Sequence, residues 1–151
     1  MFIKEVDLFK GLSQTIFNEL SDSMVEVSYK QGDFVIKEGN HADHLYILEE
    51  GKIRLSVGER GHTTYMVSNS GEAFGWSSLV DRDIYAASAE CIGPCKLIKL
   101  EKAELNRVFE KNPASGLIFF KRLAGIIGQR LINSYKMFLV TSEREGIPSY
   151  G

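Results

Sequence analysis

The sequence predicts a mainly β fold with flanking α-helices: a jelly roll (double-stranded β-helix) with N-terminal helices and a long C-terminal helix. Three observations predict it. Residues from roughly 26 to 100 form short β-rich runs, separated by turn signals at intervals of about eight to twelve residues, the rhythm of an antiparallel sandwich or barrel. The segments on either side switch to apolar spacings of three and four, the helical period. The chain has 151 residues, 44% apolar and 25% charged, which suits one domain with a single buried core.

The first zone, residues 1 to about 25, sets Leu8, Phe9, Leu12, Ile16, Phe17, Leu20 and Met24 at helical spacing, with Ser13 as a suitable N-cap. The β zone opens with Val25, Val27 and Tyr29, then Phe34 and Ile36, each alternating with a neighbour of the other face. LYIL at 45–48, KIRLSV at 52–57, TTYMV at 63–67 and CKLIKL at 95–100 are further strands. Glycine-bearing turns around Gly32, Gly39, Gly51, Gly61, Gly71 and Gly93 separate them.

The third zone returns to the helical period. KAELNRVFEKNP reads as a short helix that ends before Pro113, because a proline pushes the residue before it out of the helical region. A longer helix runs from about Ala114 to Val140. Leu117, Phe120, Ala124, Ile127, Leu131, Ser134 and Phe138 trace a heptad seam along it. A second apolar set, Ile118, Leu123, Ile126, Ile132, Tyr135 and Leu139, lies on another face. One face can pack on the barrel, and the other needs a partner. The economical partner is a second copy of the same helix, which predicts a homodimer through Leu117, Phe120, Ala124, Ile127, Leu131 and Phe138. Burial of the whole helix against its own barrel is the alternative. The domain is read as residues 1–140, with 141–151 as a polar tail.

Composition narrows the function classes. The net charge of −2 offers no field for nucleic acid or an anionic membrane. The N-terminus lacks the apolar core and cleavage site of a signal peptide, and no apolar run reaches a membrane span, so a cytoplasmic location is expected. Cys91 and Cys95 flank a Gly93-Pro94 turn. Their spacing is neither a redox CxxC nor a zinc pattern, and they read as half-buried packing thiols, with a redox pair as the alternative.

Helix, jelly roll and seam helix in that order resemble the cyclic-nucleotide-binding domain of the catabolite-activator (CRP/FNR-like) family. KQGDFVIKEGNHADHLYILEEGKIRL is similar to the glycine-marked first strands of that domain, with Gly32, Gly39, Asp43 and Gly51 in place. GEAFG, Gly71 to Gly75, resembles the opening of its phosphate-binding cassette. The resemblance implies a small-molecule-responsive regulator in signal transduction, an effector such as a cyclic nucleotide, and a downstream protein partner. The family's DNA-binding regulators continue into a helix-turn-helix unit, so direct DNA binding is not expected of these residues.

The cassette departs from the family at the positions that carry its chemistry. The resemblance implies a glutamate for the ribose hydroxyl and an arginine for the phosphate; those positions hold Trp76 and Tyr85. Each lost charge-assisted hydrogen bond is worth about 1.5–3 kcal/mol. Two together weaken binding on the order of a hundredfold or more, so ordinary cyclic AMP binding is not expected. Ala86 is a further departure, since a serine or threonine often follows the arginine in the family. Gly75, Ser77 and Ser78 survive, Phe74 beside them is a further candidate, and Arg130, Leu131, Ser134 and Tyr135 fall where the family's long helix faces the pocket. Arg82 is three residues early and reads as a surface residue. The two aromatics either fill the pocket themselves or stack on a different ligand. A ligand-free dimerisation module that keeps only the fold is the competing reading.

An enzyme is not expected. His41 and His44 are the only close histidines, and an i, i+3 pair on a strand points to opposite faces, unlike a metal-dependent jelly-roll site. No cofactor is implied with certainty.

Overall fold

The computed structural model describes residues 5–80 and 82–144, with side chains to residue 140. A 3-10 turn at Asp7–Phe9 precedes α1 (Gln14–Ser21). Eight strands follow: β1 (Val25–Tyr29), β2 (Phe34–Ile36), β3 (His44–Glu50), β4 (Ile53–Val57), β5 (His62–Val67), β6 (Ala73–Phe74), β7 (Ser88–Cys91) and β8 (Cys95–Glu101). Helices α2 (Lys102–Lys111) and α3 (Pro113–Arg144) close the described chain.

The strands form two four-stranded antiparallel sheets, ordered β1-β8-β3-β6 and β2-β7-β4-β5. This is the jelly roll the sequence predicts. Strand β3 explains why LYIL reads as a continuous apolar run rather than an alternation. It lies inside the first sheet, and both of its faces are covered. Tyr46 and Leu48 point into the space between the sheets with Phe74, Leu97, Ile53, Val67 and Ala89. Leu45 and Ile47 point the other way, into a second cluster shared with the helices. Two strands were not resolved individually by alternation: β6 is two residues long, and β7 carries the small residues Ser88 and Ala89.

Among the described residues the N-terminal zone is less continuously helical than its spacing predicts, with the 3-10 turn at Asp7–Phe9 separated from α1 by non-helical residues. Ser13 does cap α1, its hydroxyl accepting from the Ile16 amide at 3.3 Å. Phenylalanines hold this zone to the C-terminal helices. Phe9 contacts Phe17 and Phe119, and Phe119 also meets Phe109 and Phe120. Phe119, absent from both predicted apolar sets, is the most deeply buried large residue of α3.

Helix α3 starts on Pro113, whose fixed φ and missing N–H suit a first helical position. It continues to Arg144, past the expected end at Val140. In its first half the second apolar set packs only in part: Leu123 is buried and Ile126 half-buried, but Ile118 is exposed. Phe120 and Ile127 of the seam are also half-buried against the core, whereas Leu117 and Ala124 are exposed. From Leu131 to Val140 every side chain is exposed, including Ile132, Tyr135 and Leu139, which the two-face reading would have put on the barrel. The barrel ends before the helix does. Among the described residues no helix is long and apolar enough to cross a membrane.

Candidate functional site

The segment after β6 is built around Gly75. Its φ of 82° lies in the left-handed region, and an added Cβ would stand 3.0 Å from Ile36 Cδ1 and 3.2 Å from the His44 carbonyl oxygen. Glycine is therefore required both for conformation and for room. Gly75 caps a 3-10 turn, Trp76–Leu79. Within it the Ser78 hydroxyl donates to the Gly75 carbonyl at 2.9 Å, while the Ser77 hydroxyl accepts from the Ala86 amide at 3.4 Å and ties the two ends of the cassette together.

Tyr85 is only 7% exposed, and its hydroxyl is fully committed. It donates to the His44 carbonyl at 2.7 Å and accepts from the His44 amide at 3.1 Å. Burial pushes its phenol pKa up, so it stays neutral. The side chain in the expected arginine position thus latches the cassette to β3.

A cation does reach this region, from the other side. Arg130 of α3 is 8% exposed, and its guanidinium carbon lies 4.6 Å from the Tyr65 ring centre and 4.7 Å from that of Trp76. Such contacts strengthen when desolvated. Arg130 Nη2 donates to the Ala73 carbonyl, while Nη1 is buried with no hydrogen-bond partner. Burial lowers the Arg130 pKa, opposed by the neighbouring Tyr65 and Glu72, and a guanidinium remains charged at neutral pH. Glu72 completes the arrangement: it accepts from the Tyr65 hydroxyl at 2.9 Å and from the Ser68 amide at 3.1 Å.

Between the cassette, β4–β5 and α3 lies a cavity of about 280 Å³. Of the residues singled out in the sequence, Gly75, Trp76, Ser77, Tyr85, Ala86, Arg130, Leu131 and Ser134 line it. Three do not. Phe74 is fully buried and stacks on Tyr46, Ser78 is fully buried beneath the turn, and Tyr135 is exposed beyond the barrel's edge. Sequence reasoning missed Tyr65 and Thr64. Leu55 pairs with Tyr65 and Ser56 with Thr63, so Thr64 is the extra residue of a β-bulge, which lets two successive side chains reach the cavity. A more polar cleft of about 530 Å³, lined in part by Asn69, Glu72 and Gln129, lies across the same arginine, and Tyr65 and Arg130 belong to both walls.

The other sequence candidates lie away from the cavity. Arg82 is exposed, and His41 sits in an isolated bridge to Ile84. No group of three His, Cys, Asp or Glu residues that could hold a metal ion occurs among the described residues. Cys91 and Cys95 are both buried and free; burial, with Cys95 adjacent, pushes the Cys91 thiol up to about 12, the opposite of an activated thiol.

Comparisons with known proteins show the family and the fold. The family model described as the cyclic nucleotide-binding domain matches residues 26–112. A Drosophila melanogaster cGMP-dependent protein kinase is 27% identical over 93 residues, a match taking in 60% of this chain but 10% of the kinase. Among solved structures, a Geobacter metallireducens GS-15 protein assigned as a cyclic nucleotide-binding protein superposes with a TM-score of 0.77 at 26% identity, covering 87% of this chain and 98% of that one. The catabolite activator protein of Thermus thermophilus shares the fold at a TM-score of 0.68 and 24% identity, covering 90% of this chain and 63% of that one.

Proposed function

Because the chain belongs to the cyclic nucleotide-binding domain family, we propose that it is a regulatory domain that responds to a small effector other than an ordinary cyclic nucleotide, and that it acts through α3 on a second copy and a downstream protein. It is a binding module, not a catalyst. The observation that carries this reading is the redistribution of charge around a surviving cavity. The cassette's arginine position is a latched tyrosine, yet a buried guanidinium from α3 stands on the wall of the same 280 Å³ space. A buried guanidinium with one nitrogen unpartnered beside a cavity is the arrangement of a site that still receives an acceptor.

Thermal melting of the purified chain tests it. A ligand present at a hundred times its Kd adds about 2.7 kcal/mol of apparent stability. Cyclic AMP and cyclic GMP at millimolar concentration are expected to leave the melting temperature unmoved, while a metabolite screen yields at least one concentration-dependent rise. A clear rise with either cyclic nucleotide would overturn the altered-specificity reading. One observation favours a second reading, a ligand-free dimerisation module: the Tyr65–Arg130–Trp76 stack is satisfied largely by the protein itself. A screen without hits would select that module.

A further inference from the structure

The cavity's wall specifies the class of molecule it can take, an inference that rests on the effector-binding reading above. We propose that its ligand is a small carboxylate with an apolar body, anchored by Arg130. Each side-chain hydroxyl of the wall already makes at least one hydrogen bond within the protein. Tyr85 is bonded to His44, Tyr65 to Glu72, Ser77 to Ala86, Ser134 to the Arg130 carbonyl and Thr64 to the Leu55 carbonyl. Among the described residues, the buried side-chain nitrogen and oxygen atoms without a partner are Glu49 Oε2, Arg54 Nε and Arg130 Nη1, and of these only Arg130 Nη1 belongs to a residue of this cavity.

Charge and size complete the selection. Among the described residues no aspartate, glutamate or lysine lines the cavity and Arg130 is the one formal charge there, and the remaining wall is built largely from aliphatic and aromatic groups. A cationic ligand is repelled. A ligand rich in hydroxyls, such as a ribose, must shed its water against a largely apolar wall with few polar groups to replace it, and it loses affinity for each group left unpaired. A single carboxylate balances the guanidinium and gives Nη1 an acceptor, while the rest of the molecule displaces water from apolar surface. At about 280 Å³ the cavity falls just below the usual ligand-site range, which begins near ~300 Å³. The ligand is therefore small.

Octanoate, octanamide and octylamine form a matched set of anion, neutral molecule and cation on one apolar body. Trp76 is the single tryptophan of the chain and stacks on Arg130, so its fluorescence reports directly on the site. Titration of the full chain is expected to show octanoate binding at least about tenfold more tightly than octanamide, with octylamine inactive. In Arg130→Gln, with its fold checked by circular dichroism, that preference is expected to vanish while octanamide binding persists. Should that variant not fold, Arg130→Lys keeps the charge without the planar fork and is expected to weaken octanoate about tenfold. Equal binding of acid and amide, or a preference that survives Arg130→Gln, would overturn the carboxylate assignment and leave the effector-binding reading standing. If no probe and no screened metabolite moves either fluorescence or melting, the effector-binding reading falls with it.

Discussion

Tyr85 stands where an arginine would meet a phosphate, and its hydroxyl instead makes two hydrogen bonds to the backbone of His44. Both are part-buried, so removing the hydroxyl strands groups that water does not readily reach. Tyr85→Phe is expected to cost about 1–3 kcal/mol, measured by urea denaturation, without emptying the cavity. A negligible change would mean the latch is incidental. The sequence made the substitution at Tyr85 and Trp76 legible, since both follow from counting along the cassette. It did not make their roles legible. Alternation along β5 pairs Tyr65 with the buried Val67 and so signals an inward ring, but nothing in TTYMV announces a bulge at Thr64 or a guanidinium lying over that ring.

At the scale of elements, the helices read less completely than the strands. The β-rich runs bounded by turns all form strands, although Val25 and Phe34 of the two alternating runs lie exposed, and β6 and β7 are too short or too small-sided to read. Helix α3 is harder, because counting from Leu117 to Phe120 follows one seam and steps over Phe119. That residue is fully buried between Phe9, Phe109 and Phe120, where it joins the N-terminal segment to α2 and α3. Phe119→Ala is expected to destabilise the fold by about 3–5 kcal/mol, the usual cost of a phenylalanine-sized cavity. Leu117→Ala on the exposed face is expected to change monomer stability by less than about 0.5 kcal/mol. Chemical denaturation of the two variants side by side checks the contrast, and similar losses would show that the packing assignment of the two faces is wrong.

For the whole molecule, the exposed apolar strip that includes Leu131 and Phe138 (51% and 70% exposed) is what a second copy would cover. Sedimentation of the unaltered chain is expected to give a dimer, and Leu131→Asp with Phe138→Asp a folded monomer; an unaltered chain that sediments as a monomer would defeat the pairing. The buried thiol and phenols set an alkaline limit. Burial raises Cys91 to about 12 and shifts Tyr46, Tyr65 and Tyr85 upward, so the folded state holds protons that the unfolded chain has released. Stability is therefore full below the unfolded thiol value of 9.0 and falls as pH rises from there toward 12. Cys91→Ala is expected to flatten the first part of that fall in melting temperatures recorded from pH 8 to 11.

Arg130 and Leu131 both line the cavity, yet Arg130 is buried and Leu131 begins the stretch of α3 whose side chains are exposed. Any tilt of α3 at this junction would move the exposed stretch relative to the cavity. From Leu131 to Arg144 the helix forms an arm of ~20 Å at 1.5 Å per residue. A tilt of about 10° at the junction would sweep its far end through roughly 3–4 Å on that geometry. Such a displacement is a large fraction of the spacing between successive turns. Were two copies to pair along α3, an adjustment around one guanidinium too small to disturb the jelly roll would be magnified into a change in where the ends of the two helices meet.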